Sequence, residues 1–107
     1  MRKSLSTESV ESETTSKRVL IADDDRALVE VLTRRCEQLG LSVTQAFDAR
    51  SALLLVLEDP PDLVCLDIEM PAGDGLSICE VLSKDDSASQ IPTIILTGSL
   101  NRKGRFF

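Results

Sequence analysis

The sequence contains no histidine, no tryptophan and no tyrosine, and only three phenylalanines among its 107 residues. Without histidine, imidazole-based acid–base catalysis and most transition-metal sites are excluded. With so few aromatic rings, stacking on nucleic-acid bases is not expected. No apolar stretch reaches the roughly 20 residues that a membrane span needs, and residues 1–17 lack the apolar core of a signal peptide. The remaining chemistry must depend mainly on carboxylates and hydroxyls.

Cysteine is scarce as well. Cys36, Cys65 and Cys79 are an odd number and have no CxxC spacing. Each falls within an apolar pattern, which indicates small buried hydrophobic side chains rather than disulfides or metal ligands. Unpaired thiols are typical of a reducing compartment, so we expect a cytoplasmic protein.

Charge is unevenly distributed along the chain, whose formal net charge is −6. Residues 18–100 carry six basic and fifteen acidic side chains, whereas residues 101–107 carry three basic ones and no acidic one. An acidic body repels a phosphate backbone, so we expect no nucleic-acid binding through this domain. Residues 1–17 are charge-neutral and contain eight serines or threonines, which predicts a flexible N-terminal tail. Residues 101–107 are interpreted as a basic C-terminal stub.

Short apolar runs alternate with segments of helical periodicity. Strands are predicted over residues 18–22, 41–46, 62–66 and 91–96, and helices after Asp25, after Asp48 and over residues 76–82. Gly40 stands where a glycine would end the first helix. Strands and helices that alternate in units of about 30 residues indicate a parallel sheet with right-handed crossovers. We therefore expect one doubly wound α/β domain over residues 18–100.

Polar side chains follow three of the four apolar runs. They are Asp23, Asp24 and Asp25 after the first run, Asp67 and Glu69 after the third, and Thr97 after the fourth. Because the carboxyl ends of neighbouring parallel strands meet in one crevice, these groups should share a site. Crowded carboxylates repel one another, and Mg²⁺ relieves the repulsion while retaining waters and a phosphate oxygen as ligands. The pattern predicts a Mg²⁺ and phosphoryl site.

Asp25 also has a simpler interpretation, because an acid at this position can cap the N-terminus of the first helix. That interpretation does not extend to Asp67, which follows a buried strand and precedes a loop. It does not account for Thr97 at the matching place on the next strand either.

Three segments together resemble the receiver (response-regulator) family of two-component signalling. They are residues 20–25 (LIADDD), residues 62–71 (DLVCLDIEMP) with 73–75 (GDG), and residues 92–98 (PTIILTG). The resemblance runs from Arg18 to about Ser99. It implies a flavodoxin-like parallel sheet with strand order 2-1-3-4, in which a fifth strand and a final helix are missing.

The resemblance also implies roles for single residues. Asp67 is expected to accept the phosphoryl group, and Thr97 to sense it through its hydroxyl. Asp24 and Asp67 are expected to bind Mg²⁺ directly, the backbone carbonyl of Glu69 to be a third ligand, and Asp23 to act mainly through water. The phosphate donor would be a histidine kinase or a phosphotransfer protein, and the output partner is unknown. Such a domain is not an enzyme beyond catalysing its own phosphorylation.

The family has a lysine on its fifth strand, and Lys103 lies too close to Thr97 to take that role. We assign no residue to it. If the last strand is missing, the strand from Ile91 to Leu96 becomes an exposed edge, and we expect the chain to self-associate through it. An alternative function is therefore an interaction or oligomerisation module that does not depend on phosphate. A Mg²⁺-dependent phosphatase is disfavoured because it would need an aspartate where Glu69 stands.

Overall fold

A computed structural model describes residues 16–70 and 73–96 of the chain. Residues 1–15 of the predicted tail, Thr97, and the basic segment 101–107 lie outside the described residues. The main elements are β1 (Arg18–Ala22), α1 (Arg26–Gln38), β2 (Ser42–Ala46), α2 (Ala49–Glu58), β3 (Leu63–Asp67), α3 (Gly75–Ser83) and β4 (Thr93–Leu96). Two two-residue strands, Glu69–Met70 and Gly73–Asp74, and a 3₁₀ turn, Ala88–Gln90, complete the described structure. No helix among these residues is long and apolar enough to cross a membrane.

The four main strands form one parallel sheet in the order β2-β1-β3-β4. This confirms the predicted α/β class and the order 2-1-3-4. The register pairs Ala22 with Leu66 and Asp67 with Leu96. The ends of β1, β3 and β4 therefore lie within one residue of the same level, and Asp23, which follows β1, lies beside Asp67 at one edge of the sheet.

Several predicted bounds differ from the structure. Strand β2 begins at Ser42 rather than Leu41, and α3 spans Gly75–Ser83 rather than residues 76–82. Strand β3 starts and ends one residue later than predicted, and therefore includes Asp67. Strand β4 begins at Thr93 rather than Ile91, because the amide of Ile91 closes the 3₁₀ turn on Ala88 and Pro92 has no N–H. The segment after Asp67 is predicted only as a loop. Instead, Glu69–Met70 and Gly73–Asp74 pair as an antiparallel ladder, and Gly75 starts α3.

Capping residues fix the starts of the first two helices as predicted. The carboxylate of Asp25 accepts a hydrogen bond of 3.1 Å from the amide of Leu28, and that of Asp48 accepts one of 2.7 Å from the amide of Ser51. The Ser51 backbone hydrogen bond is the main cause that lowers the pKa of Asp48. After α1, Gly40 takes a φ of +87°, the left-handed conformation expected of a glycine that ends a helix.

The core lies on both faces of the sheet because side chains alternate along each strand. On one face, Leu20 and Leu66 belong to a cluster covered by α2 and α3. On the other, Val19 and Ile21 pack with Val29 of α1. The three cysteines are free, in agreement with the prediction of no disulfide, but they are half-buried rather than buried. Cys36 and Cys65 pack against the cluster that contains Val29 of α1, and Cys79 packs against the cluster covered by α2 and α3. Desolvation raises the pKa of the Cys65 and Cys79 thiols.

Candidate phosphorylation and metal site

Two aspartates lie at the ends of neighbouring central strands. Asp23 follows β1 directly, and its amide donates to the carbonyl of Ala46 over 3.2 Å, which holds it beside the end of β2. Asp67 is the last residue of β3. Both residues are 0% exposed. Carboxylates are almost never buried to this extent unless they are hydrogen-bonded, paired with a charge or bound to a metal.

The carboxylates of Asp23, Asp24 and Asp67 converge. One oxygen from each lies within 4.8 Å of the others. Asp24 is exposed and forms the solvent side of the cluster, whereas the other two form its floor. The structure thus brings together the three aspartates that the sequence analysis assigned to the metal, while Asp25 points its carboxylate at the start of α1 as an N-cap.

Backbone amides orient the two buried carboxylates. Oδ1 of Asp23 accepts a hydrogen bond of 2.9 Å from the amide of Asp25. Oδ1 of Asp67 accepts one of 3.3 Å from the amide of Glu69. In each case the donor lies two residues further along the chain. The loop that leaves the strand therefore helps to fix the direction in which the carboxylate faces.

The donor set fits a hard cation. Among the residues that the structure describes, the metal-ligating side chains that converge here are all carboxylates. Oxygen ligands are those that Mg²⁺ prefers, and Mg²⁺ needs only one or two carboxylates from the protein when waters and a phosphate supply the rest. The exposed position of Asp24 leaves the cluster open to such ligands from solvent.

The loop after Asp67 is closed by backbone hydrogen bonding. Glu69 pairs with Asp74 and Met70 with Gly73, and the amide of Gly75 donates to the carbonyl of Ile68 over 2.7 Å. The segment between β3 and α3 therefore returns on itself directly beside Asp67. Gly75 entered the predictions only as the last residue of the Gly-Asp-Gly motif at 73–75, without a role of its own.

Thr97 belongs to the predicted site but lies outside the described residues. Strand β4 is described as far as Leu96, which pairs with Asp67. The assignment of the sensing hydroxyl to Thr97 therefore remains a prediction.

The chain is similar to known proteins in both sequence and fold. The sequence profile of the response regulator receiver domain matches residues 19–105. The chain belongs to this family. A response regulator named MprA, from Mycolicibacterium vanbaalenii, is 44% identical over 80 residues, which are 75% of this chain and 34% of that protein. The DNA-binding dual master transcriptional regulator RpaA of Synechocystis is 36% identical over 80 residues, 75% of this chain and 33% of the relative.

Solved structures agree with the fold of this receiver domain. The receiver domain of a Francisella response regulator superposes with a TM-score of 0.69 at 34% identity, covering 75% of this chain and 64% of that one. The chemotaxis response regulator CheY4 of Vibrio cholerae gives a TM-score of 0.75 at 22% identity, over 85% of this chain and 78% of its own. The second comparison supports the fold alone.

The family defines the chain as a receiver domain of two-component systems rather than a conventional enzyme. Receiver domains typically bind Mg²⁺ in an acidic pocket, and the described residues of this chain include one cluster of three aspartates, Asp23, Asp24 and Asp67, two of which are buried. The chain spans about a third of the length of the two curated relatives.

Proposed function

We propose that this receiver domain accepts a phosphoryl group on Asp67 in a Mg²⁺-dependent reaction, from a histidine kinase or a phosphotransfer protein. The observation that carries the proposal is the convergence of three carboxylates within 4.8 Å at the ends of β1 and β3. Of the two buried members, Asp67 belongs to β3 itself and is followed by a closed loop. Asp67 rather than Asp23 is assigned as the acceptor because it occupies the position that matches the phosphoacceptor of the receiver family.

In the proposed reaction, an oxygen of Asp67 attacks phosphorus as the bond from phosphorus to the donor's histidine nitrogen breaks. The nitrogen leaves with the electron pair, and the product is an acyl phosphate. Bound Mg²⁺ supplies charge stabilisation at the phosphoryl oxygens. The metal would be held by Asp24 and Asp67, by the carbonyl of Glu69, and through water by Asp23. The hydroxyl of Thr97 would report the phosphate to the surface that an output partner recognises.

In this proposal an output partner, and not the receiver domain, carries out the response to phosphorylation. RpaA is named a DNA-binding transcriptional regulator, but its match covers a third of its length. An acidic surface is a poor nucleic-acid ligand. We propose that phosphorylation changes the affinity of the domain for an output partner, which carries out the response.

A direct test is to incubate the purified chain with a small acyl-phosphate donor and follow its intact mass. We expect one phosphoryl group to be added in the presence of Mg²⁺, and none after EDTA treatment. The modification should be lost in hydroxylamine, as an acyl phosphate is, and borohydride trapping followed by peptide mapping should locate it at Asp67. A stable modification on serine or threonine, or one that forms equally in EDTA, would refute the proposal.

We also propose that the chain self-associates through β4, with a second copy as the partner. Among the described residues, β4 pairs only with β3, so its other edge is open to a strand from another molecule. Ile94 on this strand is 50% exposed. An apolar, β-branched edge that carries no charge from Thr93 to Leu96 has little to prevent such pairing.

Replacing Ile94 with lysine should therefore shift the mass measured by sedimentation toward that of the monomer. Val31 on α1 offers a matched control, because it is β-branched, apolar and 51% exposed, and Val31→Lys should leave the association constant unchanged. Equal effects of both variants, or a wild-type chain that is monomeric at high concentration, would rule out the β4 interface. If Asp67→Asn associates as the wild type does, the interface acts independently of phosphate.

A further inference from the structure

We infer that Gly75 is a positioning residue of the phosphorylation site. Because glycine has no side chain, the start of α3 can lie against the backbone of Asp67, and this packing keeps Asp67 and the Glu69 carbonyl in place for Mg²⁺. The inference rests on the proposed function and goes beyond it, since Gly75 would act without contributing a ligand. It follows from how closely the first residue of α3 approaches the last residue of β3.

The approach is close enough that no other residue fits without movement. A β-carbon on Gly75 would lie 2.5 Å from the carbonyl oxygen of Asp67, 3.0 Å from Cα of Ile68 and 3.2 Å from the carbonyl carbon of Asp67. All three atoms belong to the backbone, so no side chain can rotate away. A methyl group at Gly75 must therefore displace either the start of α3 or the peptide between Asp67 and Ile68.

That peptide is part of the site. The carboxylate of Asp67 is attached to the residue that would move, and its Oδ1 is oriented by the amide of Glu69. The carbonyl of Glu69, the proposed third ligand, lies within the ladder that pairs Glu69 with Asp74. The hydrogen bond from the amide of Gly75 to Ile68 closes the same loop. A displacement at Gly75 thus reaches two proposed ligands through short covalent and hydrogen-bonded connections.

Gly40 provides the contrast that the test needs. Gly40 has a φ of +87°, and a β-carbon there would meet nothing within 4 Å. Glycine is favoured at position 40 because the backbone there has a positive φ. At position 75 glycine is required because a β-carbon would collide with the backbone of Asp67. Alanine at Gly40 strains the turn after α1 but touches no part of the site. The two substitutions therefore add the same methyl group. Gly75→Ala adds it beside Asp67, and Gly40→Ala adds it away from the site.

The experiment measures Mg²⁺ dissociation constants by calorimetry for the wild type, Gly75→Ala and Gly40→Ala, at a temperature where circular dichroism shows all three folded. We expect Gly75→Ala to weaken Mg²⁺ binding at least tenfold and Gly40→Ala to change it less than twofold. Equal Mg²⁺ affinity for Gly75→Ala and the wild type would overturn the inference but leave the proposed function intact. A wild type that binds no Mg²⁺ would overturn both.

A second measurement uses the wild type alone and covers the case in which Gly75→Ala does not fold. If the loop and the metal are coupled, Mg²⁺ must stabilise the loop just as the loop stabilises bound Mg²⁺. Amide hydrogen exchange at Gly75 should then slow at least threefold on saturation with Mg²⁺, while exchange at Gly40 stays within the change seen for the whole domain. Identical slowing at the two glycines would refute a specific role for Gly75.

Discussion

The substitution Asp67→Asn is expected to abolish phosphoryl transfer and, in the absence of metal, to raise the melting temperature of the domain. The first effect follows because an amide cannot act as the nucleophile that a carboxylate provides. The second follows because asparagine keeps the shape of the side chain but removes one of three like charges whose oxygens lie within 4.8 Å. A change that inactivates the site should therefore stabilise the metal-free fold.

The size of the stabilisation follows from Coulomb's law. Two unit charges 4.8 Å apart repel by about 3 kcal/mol at an effective dielectric constant of about 20. For a domain of this size, 1 kcal/mol corresponds to roughly 4–8 °C in melting temperature. Even partial relief of the repulsion should therefore raise the melting temperature in EDTA by about 5 °C or more.

Mg²⁺ should reverse the order of the two proteins. The cation should stabilise the wild type, whose folded state is proposed to bind it, whereas Asp67→Asn lacks one of the two proposed direct carboxylate ligands. Calorimetric scans with and without Mg²⁺ measure both effects. Asp86→Asn is a suitable control, because it removes the same charge from an exposed position outside the site. If Asp67→Asn melts below the wild type in EDTA, the carboxylates do not destabilise one another.

The substitution Leu20→Ala is expected to cause a large loss of stability. Leu20 lies in the middle of β1, is 1% exposed and belongs to the cluster beneath α2 and α3. Truncating a buried leucine typically costs about 2–5 kcal/mol, because contacts are lost and a cavity remains. Domains of this kind are often stable by only about 5–15 kcal/mol, so a large share of the folding free energy should disappear.

Urea denaturation measures this loss, and Leu76→Ala is the matched control. Leu76 lies on α3 and is 60% exposed, so the same truncation removes little buried surface. We expect the unfolding free energy of Leu76→Ala to stay within about 0.5 kcal/mol of the wild type. A comparable loss at both positions would mean that Leu20 is not in the core of the folded protein.

Much of the fold could be predicted because strong local signals coincided. Asp25 and Asp48 precede apolar helical periodicity, and both cap helices in the structure. Gly40 ends α1 with a positive φ, as its position indicated. The alternation of strands and helices predicted a parallel sheet with right-handed crossovers, whereas the strand order 2-1-3-4 came from the resemblance to the receiver family. The exact ends of the strands could not be predicted as well. Asp67 reads locally as the polar end of an apolar run, whereas ladder pairing with Leu96 makes it part of β3.

The sequence by itself determined the elements, their order, and the acidic residues that end β1 and β3, because periodicity and capping depend on neighbouring residues. Only the tertiary structure decided that the oxygens of Asp23, Asp24 and Asp67 lie within 4.8 Å of one another, that two of these side chains are fully buried, and that Gly75 rests against the backbone of Asp67. Those distances depend on strand register and on how the loop after β3 closes. Both arise from contacts between residues far apart in the chain or on opposite sides of a turn, which no local pattern encodes.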